Sequence, residues 1–123
     1  MSTPSLAGPA LLFFFETDCP TCRLTAPYIA RLARLTPGAV TGISQDSEEA
    51  TRAFAAELNL SFSLRVDAGL ELSRRYDPPF VPALFVLDAS GSVVAREFGF
   101  RKDGVNELAA RLCAALGTAP VTV

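Results

Sequence analysis

The sequence predicts an α/β fold in which helices cover both faces of a central mixed sheet. Short apolar runs alternate with segments whose apolar residues recur every three or four positions, as strands and helices alternate in such folds. Towards the C-terminus two apolar runs follow each other across a short polar turn, which predicts an antiparallel hairpin. The resulting order is β-α-β-α-β-α-β-β-α. Because 123 residues can form one core, we expect a single domain over residues 1–123, with a flexible N-terminus over residues 1–9.

The first strand and the first helix meet at a short polar turn. Residues 11–15 are apolar at consecutive positions, as expected for a central strand that is buried on both faces. A helix then runs from residue 20 or 21 to residue 35. We expect it to bend at Pro27, because an interior proline removes a backbone hydrogen bond. Helical spacing of apolar residues predicts the buried face, which is formed by Leu24, Tyr28, Leu32 and Leu35.

The middle of the chain predicts two more strands, each followed by a helix. Pro37-Gly38 ends the first helix, and residues 40–44 form the second strand. Ser47 is a suitable N-cap for the second helix, since acidic residues follow it in the favourable first turn. A third strand over residues 63–66 precedes a short helix over residues 69–76. The inward face of the second helix is predicted to contain Thr51, Phe54, Ala55 and Leu58.

Three prolines between residues 78 and 82 interrupt the regular pattern. Proline lacks an N–H group and restricts the backbone, so residues 77–82 are predicted to form a rigid loop. Residues 83–87 and 92–98 should then pair across a polar turn. A last helix is predicted over residues 103–116, with an inner face of Val105, Leu108, Ala109, Leu112 and Leu116.

The composition argues against several classes of function. The net charge is only −2, so neither a nucleic acid nor an anionic membrane surface is expected as a partner. The chain contains no histidine, which excludes a histidine base and a histidine-ligated metal. The first apolar run is shorter than the roughly 7–15 residues of a secretion signal, and none approaches the roughly 20 residues of a membrane helix. We therefore expect a cytoplasmic protein without metal or other cofactor.

Two of the three cysteines carry the functional prediction. Cys19 and Cys22 lie where the first strand leads into the first helix. The N-terminus of a helix stabilises a thiolate, and cysteines three positions apart can bring their sulfurs together. We therefore expect Cys19 to act as the attacking thiol and Cys22 as the resolving thiol. No second cysteine pair completes a zinc site, and Cys113 is expected to be a small buried side chain.

Four features together resemble the thioredoxin superfamily, most closely the TlpA-like thiol-disulfide oxidoreductases and their peroxiredoxin-related relatives. An apolar strand enters Cys19-Pro20-Thr21-Cys22, and Pro27 stands where this family bends its active-site helix. Val81-Pro82 is similar to the family's cis-proline, and residues 84–94 look like its strand-turn-strand hairpin. The second helix looks like the insertion that separates TlpA-like proteins from plain thioredoxins. The resemblance extends over residues 11–116 and implies a thioredoxin-like fold.

The resemblance also implies roles for residues around the cysteines. Pro82 would pack against the cysteine pair, and Val81 would offer its backbone to an extended substrate peptide. Pro20 and Thr21 would contact the substrate from between the two cysteines. The implied substrate is a protein disulfide, and the implied electron donor is a thioredoxin reductase or a low-molecular-weight thiol. We expect the domain to be a monomer.

The chain departs from the family pattern at two positions beside the cysteines. Asp18 stands where family members usually have tryptophan, and Phe13 stands where thioredoxins have a buried, proton-relaying aspartate. Glu16 is the nearest carboxylate that could replace that aspartate, although a solvated role at the strand end is the alternative. The charges of Glu16 and Asp18 disfavour a thiolate at Cys19 and that of Arg23 favours one. We therefore expect a reductase more than an oxidase.

Two other functions stay open. Relatives with this fold reduce hydroperoxides, but that reaction usually requires a threonine three residues before the reactive cysteine, where this chain has Glu16. A non-enzymatic module could instead use the cysteine pair as a redox sensor or as part of a chaperone contact surface.

Overall fold

Strands and helices alternate along the chain in the order that the sequence predicts. The computed structural model of the protein describes residues 6–123. The elements are β1 (Ala10–Phe15), α1 (Pro20–Leu35), β2 (Val40–Ser44), α2 (Glu48–Leu58), β3 (Ser63–Val66), α3 (Glu71–Tyr76), β4 (Ala83–Leu87), β5 (Val93–Phe98) and α4 (Lys102–Leu116). The α/β class is confirmed. The proline-rich residues 77–82 form neither helix nor strand, as predicted.

β1 lies at the centre of a five-stranded mixed sheet with the strand order β3-β2-β1-β4-β5. It pairs in parallel with β2, which pairs in parallel with β3. On its other side β1 pairs antiparallel with β4, and β4 forms an antiparallel hairpin with β5. The parallel first three strands and the final hairpin are therefore confirmed. Phe14 lies opposite Ala83, so β1 ends where β4 begins.

The side chains of β1 alternate between two hydrophobic clusters, one on each face of the sheet. Leu11, Phe13 and Phe15 belong to the first cluster, which also contains residues of α1 and α4. Leu12 and Phe14 belong to the second cluster, with residues of α3 and β4. Because both faces of β1 are covered, every residue of this strand is buried.

The buried face of α1 differs from the predicted face. Leu24 and Leu35 are 55% and 50% exposed, whereas Ala26 and Ile29 are fully buried. Of the four predicted residues, only Leu32 is fully buried. The prediction followed the large apolar side chains, but the face that packs on the sheet also contains small residues, which allow a close approach. The helix continues through Pro27, and the bend at this residue stays a prediction.

Side-chain oxygens cap the starts of α2 and α3. Ser47 is the N-cap of α2, as predicted, and its Oγ accepts a hydrogen bond from the N–H of Ala50 at 3.1 Å. α3 begins at Glu71, later than predicted, because Leu70 has a left-handed backbone with φ of 56°. The carboxylate of Asp67 accepts hydrogen bonds from two backbone N–H groups at this start.

Residues 6–9 run beside the turn between β4 and β5. Leu6 packs against the second cluster, and the Cα of Gly8 lies so close to the carbonyl oxygen of Asp88 that a Cβ would overlap it. Residues 1–5, which belong to the N-terminus predicted to be flexible, lie outside the described residues. Between Leu6 and Val123, no helix combines the length and apolar character that crossing a membrane requires.

Candidate active site

Cys19 is the N-cap of α1, at the end of the short turn that follows β1. Its N–H donates to the carbonyl of Glu16 at 3.4 Å, which closes the turn. Its backbone is extended, with φ −92° and ψ 112°, and its Sγ accepts a hydrogen bond from the N–H of Cys22 at 3.2 Å. The sulfur thus takes the place of the oxygen in an ordinary N-cap.

The two sulfurs of the pair differ in exposure. Cys19 is partly exposed, whereas Cys22 is fully buried, and both are free thiols. Burial raises the pKa of the Cys22 thiol far above its ordinary range, and the hydrogen bond between its side chain and Cys19 raises that pKa further. The site therefore combines an accessible sulfur that can attack with a neighbouring thiol that holds its proton.

Glu16 lies at the end of β1, within electrostatic reach of Cys22. After burial and the hydrogen bond to Cys19, which raise the pKa of Cys22, a hydrogen bond with the Glu16 backbone lowers it, and the negative charge of Glu16 raises it by a smaller amount. Glu16 itself is half-buried. The carboxylate of Glu16 is therefore close enough to change the pKa of the Cys22 thiol.

The proline loop and the cysteine turn lie at the same end of the sheet. The Val81-Pro82 peptide bond is cis, and the carbonyl of Pro82 accepts the N–H of Gly99 at 2.9 Å. The register of β1 and β4 places Pro82 beside the end of β1, from which the chain continues to Cys19. Val81 and Cys19 both pack against the first cluster. The structure therefore brings the predicted proline and the predicted nucleophile to the same edge.

The remaining predicted positions lie in different surroundings. Pro20 and Thr21 are exposed on the first turn of α1, between the two cysteines. Cys113 is fully buried on α4, as predicted for a small core side chain. Within residues 6–123, no group of three or more cysteine, aspartate or glutamate side chains is placed to hold a metal ion.

Sequence reasoning missed the contribution of Asp46 to the cysteine turn. The Oδ2 atom of Asp46 accepts a hydrogen bond from the N–H of Thr17 at 2.6 Å, although the two residues are 29 positions apart. The available signal was that Asp46 follows β2, because the ends of neighbouring parallel strands lie at the same edge of a sheet. No local pattern indicates which backbone group the carboxylate would bind.

Arg23 is already paired with residues of α2. Its Nη1 lies 2.8 Å from Oε2 of Glu57, and its guanidinium lies over the ring of Phe54, 5.2 Å from the centroid. The positive charge that was expected to favour a thiolate at Cys19 is therefore shared with a carboxylate.

Comparison with protein families and curated proteins gives two matches. The model of the AhpC/TSA family matches residues 1–96. The soluble secreted antigen MPT53 of Mycobacterium tuberculosis and of Mycobacterium bovis is 36% identical over 92 residues, which are 72% of this chain and 53% of that protein. The chain thus spans about half the length of these curated relatives.

Two solved structures from Mycobacterium tuberculosis are similar to this fold over most of its length. A secreted disulfide oxidoreductase homologous to E. coli DsbE has a TM-score of 0.68 and 29% identity, with 85% of this chain and 80% of that chain covered. The structure of DsbF in mixed oxidised and reduced forms has a TM-score of 0.76 and 26% identity, with 89% and 82% covered. These similarities confirm the thioredoxin-like fold.

Proposed function

Because the chain belongs to the AhpC/TSA family, within the thioredoxin superfamily, we propose that it is a thiol-disulfide oxidoreductase with Cys19 and Cys22 as its redox-active pair. The observation that carries the proposal is the contact between a partly exposed Cys19 at a helix N-terminus and a buried Cys22 thiol. The name of the M. tuberculosis disulfide oxidoreductase, which is 29% identical to this chain over the aligned part, supports the same activity.

The proposed cycle consists of two exchange steps. The Cys19 thiolate attacks one sulfur of a substrate disulfide, forms a mixed disulfide and releases the other substrate sulfur as a thiolate. Cys22 then gives up its proton and attacks Cys19 Sγ, which forms the Cys19–Cys22 disulfide and releases the second substrate thiolate. The substrate gains two electrons and two protons, and the protein loses them. A thioredoxin reductase or a low-molecular-weight thiol would restore the dithiol.

The direction of exchange that we propose is reduction of the substrate. Asp18 and Glu16 place negative charge in the turn before Cys19, and Arg23 shares its charge with Glu57. Both features disfavour a very stable thiolate, and a very stable thiolate is what makes the pair a strong oxidant. A reduction potential close to the roughly −270 mV of thioredoxin would support this direction, and one close to the roughly −120 mV of DsbA would reverse it.

Glu16 is our proposed proton acceptor for the second step. Since the pKa of Cys22 is raised by burial, the thiol needs a nearby base before it can attack Cys19. We expect Glu16→Gln to slow formation of the Cys19–Cys22 disulfide and to change the pH dependence of its rate. Stopped-flow measurement of that step from pH 5 to 9 provides the test. An unchanged profile would leave Glu16 as a solvated carboxylate only.

The proposed substrate surface surrounds the exposed face of Cys19. Val81 would pair its backbone with an extended peptide, Pro82 would shape the loop, and Pro20 and Thr21 would contact the peptide from α1. Leu24 on α1 and Phe80 on the proline loop are 55% and 56% exposed, and we propose that they contact apolar side chains of the substrate.

An insulin-reduction assay beside a hydroperoxide-consumption assay tests the activity. We expect the wild type to reduce insulin with dithiothreitol as donor, Cys19→Ser to lose this activity, and Cys113→Ala to retain it. Peroxide consumption without insulin reduction would instead identify a thiol peroxidase. Absence of both, with a reversible Cys19–Cys22 disulfide, would identify a redox-sensing module.

The Cys22→Ser variant identifies the partner. Without the resolving thiol the mixed disulfide on Cys19 cannot be released, so the substrate stays covalently attached. We expect a protein adduct in non-reducing gels, absent from Cys19→Ser/Cys22→Ser, whose mass identifies the substrate. Adducts of small thiols alone would contradict a protein substrate.

The oligomeric state and the cellular location of the protein stay predictions. We propose a monomer, which light scattering would test. The cytoplasmic location expected from the sequence requires cell fractionation, because the relative MPT53 is named as a secreted protein.

A further inference from the structure

We infer that Asp46 is a positioning residue for Cys19, and that it acts by holding the backbone of the β1–α1 turn through Thr17. The inference rests on the proposed function in that Cys19 is taken as the reactive sulfur. It concerns a residue that lies outside the cysteine motif and on a different segment of the chain.

The hydrogen bond from the Thr17 N–H to Asp46 Oδ2 is short, at 2.6 Å, and partly buried. Its acceptor is a carboxylate, and hydrogen bonds to charged acceptors are about twice as strong as those between neutral groups. The other backbone hydrogen bond that closes this turn, from Cys19 to the carbonyl of Glu16, is 3.4 Å long and correspondingly weak. Of these two hydrogen bonds, the one to Asp46 is therefore the stronger restraint on the residues immediately before Cys19.

Asp46 is itself held in place by buried groups. Its N–H donates to Ser44 Oγ at 3.1 Å, and the hydroxyls of Ser44 and Thr51 lie 2.6 Å apart. Ser44 is fully buried and Thr51 is 3% exposed. The Gln45 N–H adds a hydrogen bond to the carbonyl of Phe15 at 3.1 Å. The carboxylate of Asp46 thus projects from a rigid junction between β2 and α2.

This restraint matters for the redox equilibrium because Cys22 lies inside α1, whereas Cys19 is the N-cap of that helix and its backbone continues directly into the turn. Two thiols that are held in contact form a disulfide more readily than two thiols that must be brought together, since less freedom is lost. A looser turn separates Cys19 from Cys22 more often. The equilibrium constant for forming the Cys19–Cys22 disulfide should then fall.

The experiment measures this equilibrium with glutathione. Oxidised glutathione takes two electrons and two protons from the cysteine pair, which yields two reduced glutathione molecules and the Cys19–Cys22 disulfide. We expect Asp46→Ala to lower the equilibrium constant roughly tenfold, which corresponds to about 30 mV. Asp46→Asn retains an oxygen acceptor and should stay within roughly threefold of the wild type.

Glu49→Ala is the matched control. It removes a carboxylate from the same junction, but Glu49 is exposed and its side chain makes no hydrogen bond to any residue that the structure describes. We expect its equilibrium constant to equal that of the wild type. An equal effect of Glu49→Ala and Asp46→Ala would show that charge alone is responsible and would overturn the inference.

Two further outcomes decide between positioning and a merely structural role. If Asp46→Ala lowers the urea midpoint but leaves the glutathione equilibrium unchanged, Asp46 only stabilises the fold and the inference fails. If that variant does not fold, hydrogen exchange of the wild type decides, because the Thr17 amide should be protected and rapid exchange would overturn the inference. If the wild type does not reduce insulin, the proposed function is wrong, but the equilibrium between the cysteine pair and glutathione can still be measured.

Discussion

Two turns at opposite ends of the sheet each depend on an aspartate, but the two aspartates bind in different ways. In the turn between β4 and β5, Asp88 Oδ1 accepts hydrogen bonds from the N–H groups of Ser90 at 2.9 Å and Ser92 at 3.1 Å. Both donors lie within four residues of it. The turn between β1 and α1 is bound by Asp46, which lies after β2. Its carboxylate accepts the N–H of Thr17, 29 residues away in the sequence.

The two turns therefore differ in which substitutions change the geometry of the cysteine pair. In the β4–β5 turn, the carboxylate accepts its hydrogen bonds from residues of the same turn. The cysteine turn depends on the junction between β2 and α2, so changes at that junction alter the relation of Cys19 to Cys22. Changes at the β4–β5 turn should affect stability and leave the redox chemistry intact.

Gly8→Ala should give the largest loss of stability at the β4–β5 end. A Cβ on Gly8 would overlap the backbone carbonyl of Asp88, which cannot move without disturbing the turn. We expect the free energy of unfolding in urea to fall by about 1–3 kcal/mol, and the glutathione equilibrium to stay unchanged. Gly69→Ala is the control, because the nearest atom to its Cβ would be 3.7 Å away. A changed redox equilibrium in Gly8→Ala would contradict the independence of the β4–β5 turn from the cysteine pair.

At the cysteine end, the reduced protein should lose stability in alkaline solution. The pKa of Cys22 is raised in the folded state, mainly by burial, so the unfolded chain loses the Cys22 proton at lower pH than the folded protein does. The contribution of Cys22 to the free energy of unfolding is at its full value below about pH 9. Above that pH it declines by roughly 1.4 kcal/mol per pH unit. Urea unfolding of the reduced wild type at pH 7 and pH 10, compared with Cys22→Ala, isolates this contribution. An equal pH dependence in both proteins would contradict it.

Asp88 should give the smallest effect, with the opposite sign. Hydrogen bonds from the Ser90 hydroxyl and from the backbone N–H of Ser92 lower the pKa of this carboxyl. The contribution of Asp88 to the stability of the fold is therefore at its full value above about pH 4. It is lost as the pH falls further, because the unfolded chain binds the proton at a higher pH than the folded protein does. Thermal unfolding at pH 7 and pH 3 should show a slightly smaller acid-induced decrease in Tm for Asp88→Asn than for the wild type. Identical decreases would remove Asp88 from the acid response.

The elements of this fold could be predicted because their signals are local. Apolar runs, the Ser47 cap and the proline-rich loop each act within a few residues, and the structure has the predicted strands and helices with small shifts at their ends. The buried face of α1 could not be predicted in the same way. Leu24 and Leu35 have the correct spacing, but which side of a helix meets the sheet depends on the surface that receives it.

From the sequence alone it follows that Cys19 and Cys22 stand at a strand-to-helix junction and that residues 83–87 and 92–98 pair across a polar turn. These relations hold within a few residues, where the geometry of a turn or a helix leaves little choice. The hydrogen bond from the Thr17 N–H to Asp46 and the ion pair of Arg23 with Glu57 are seen only in the tertiary structure. Such contacts depend on how β2 and α2 pack beside β1. That packing is determined by many side chains of the core together, which are far apart in the sequence.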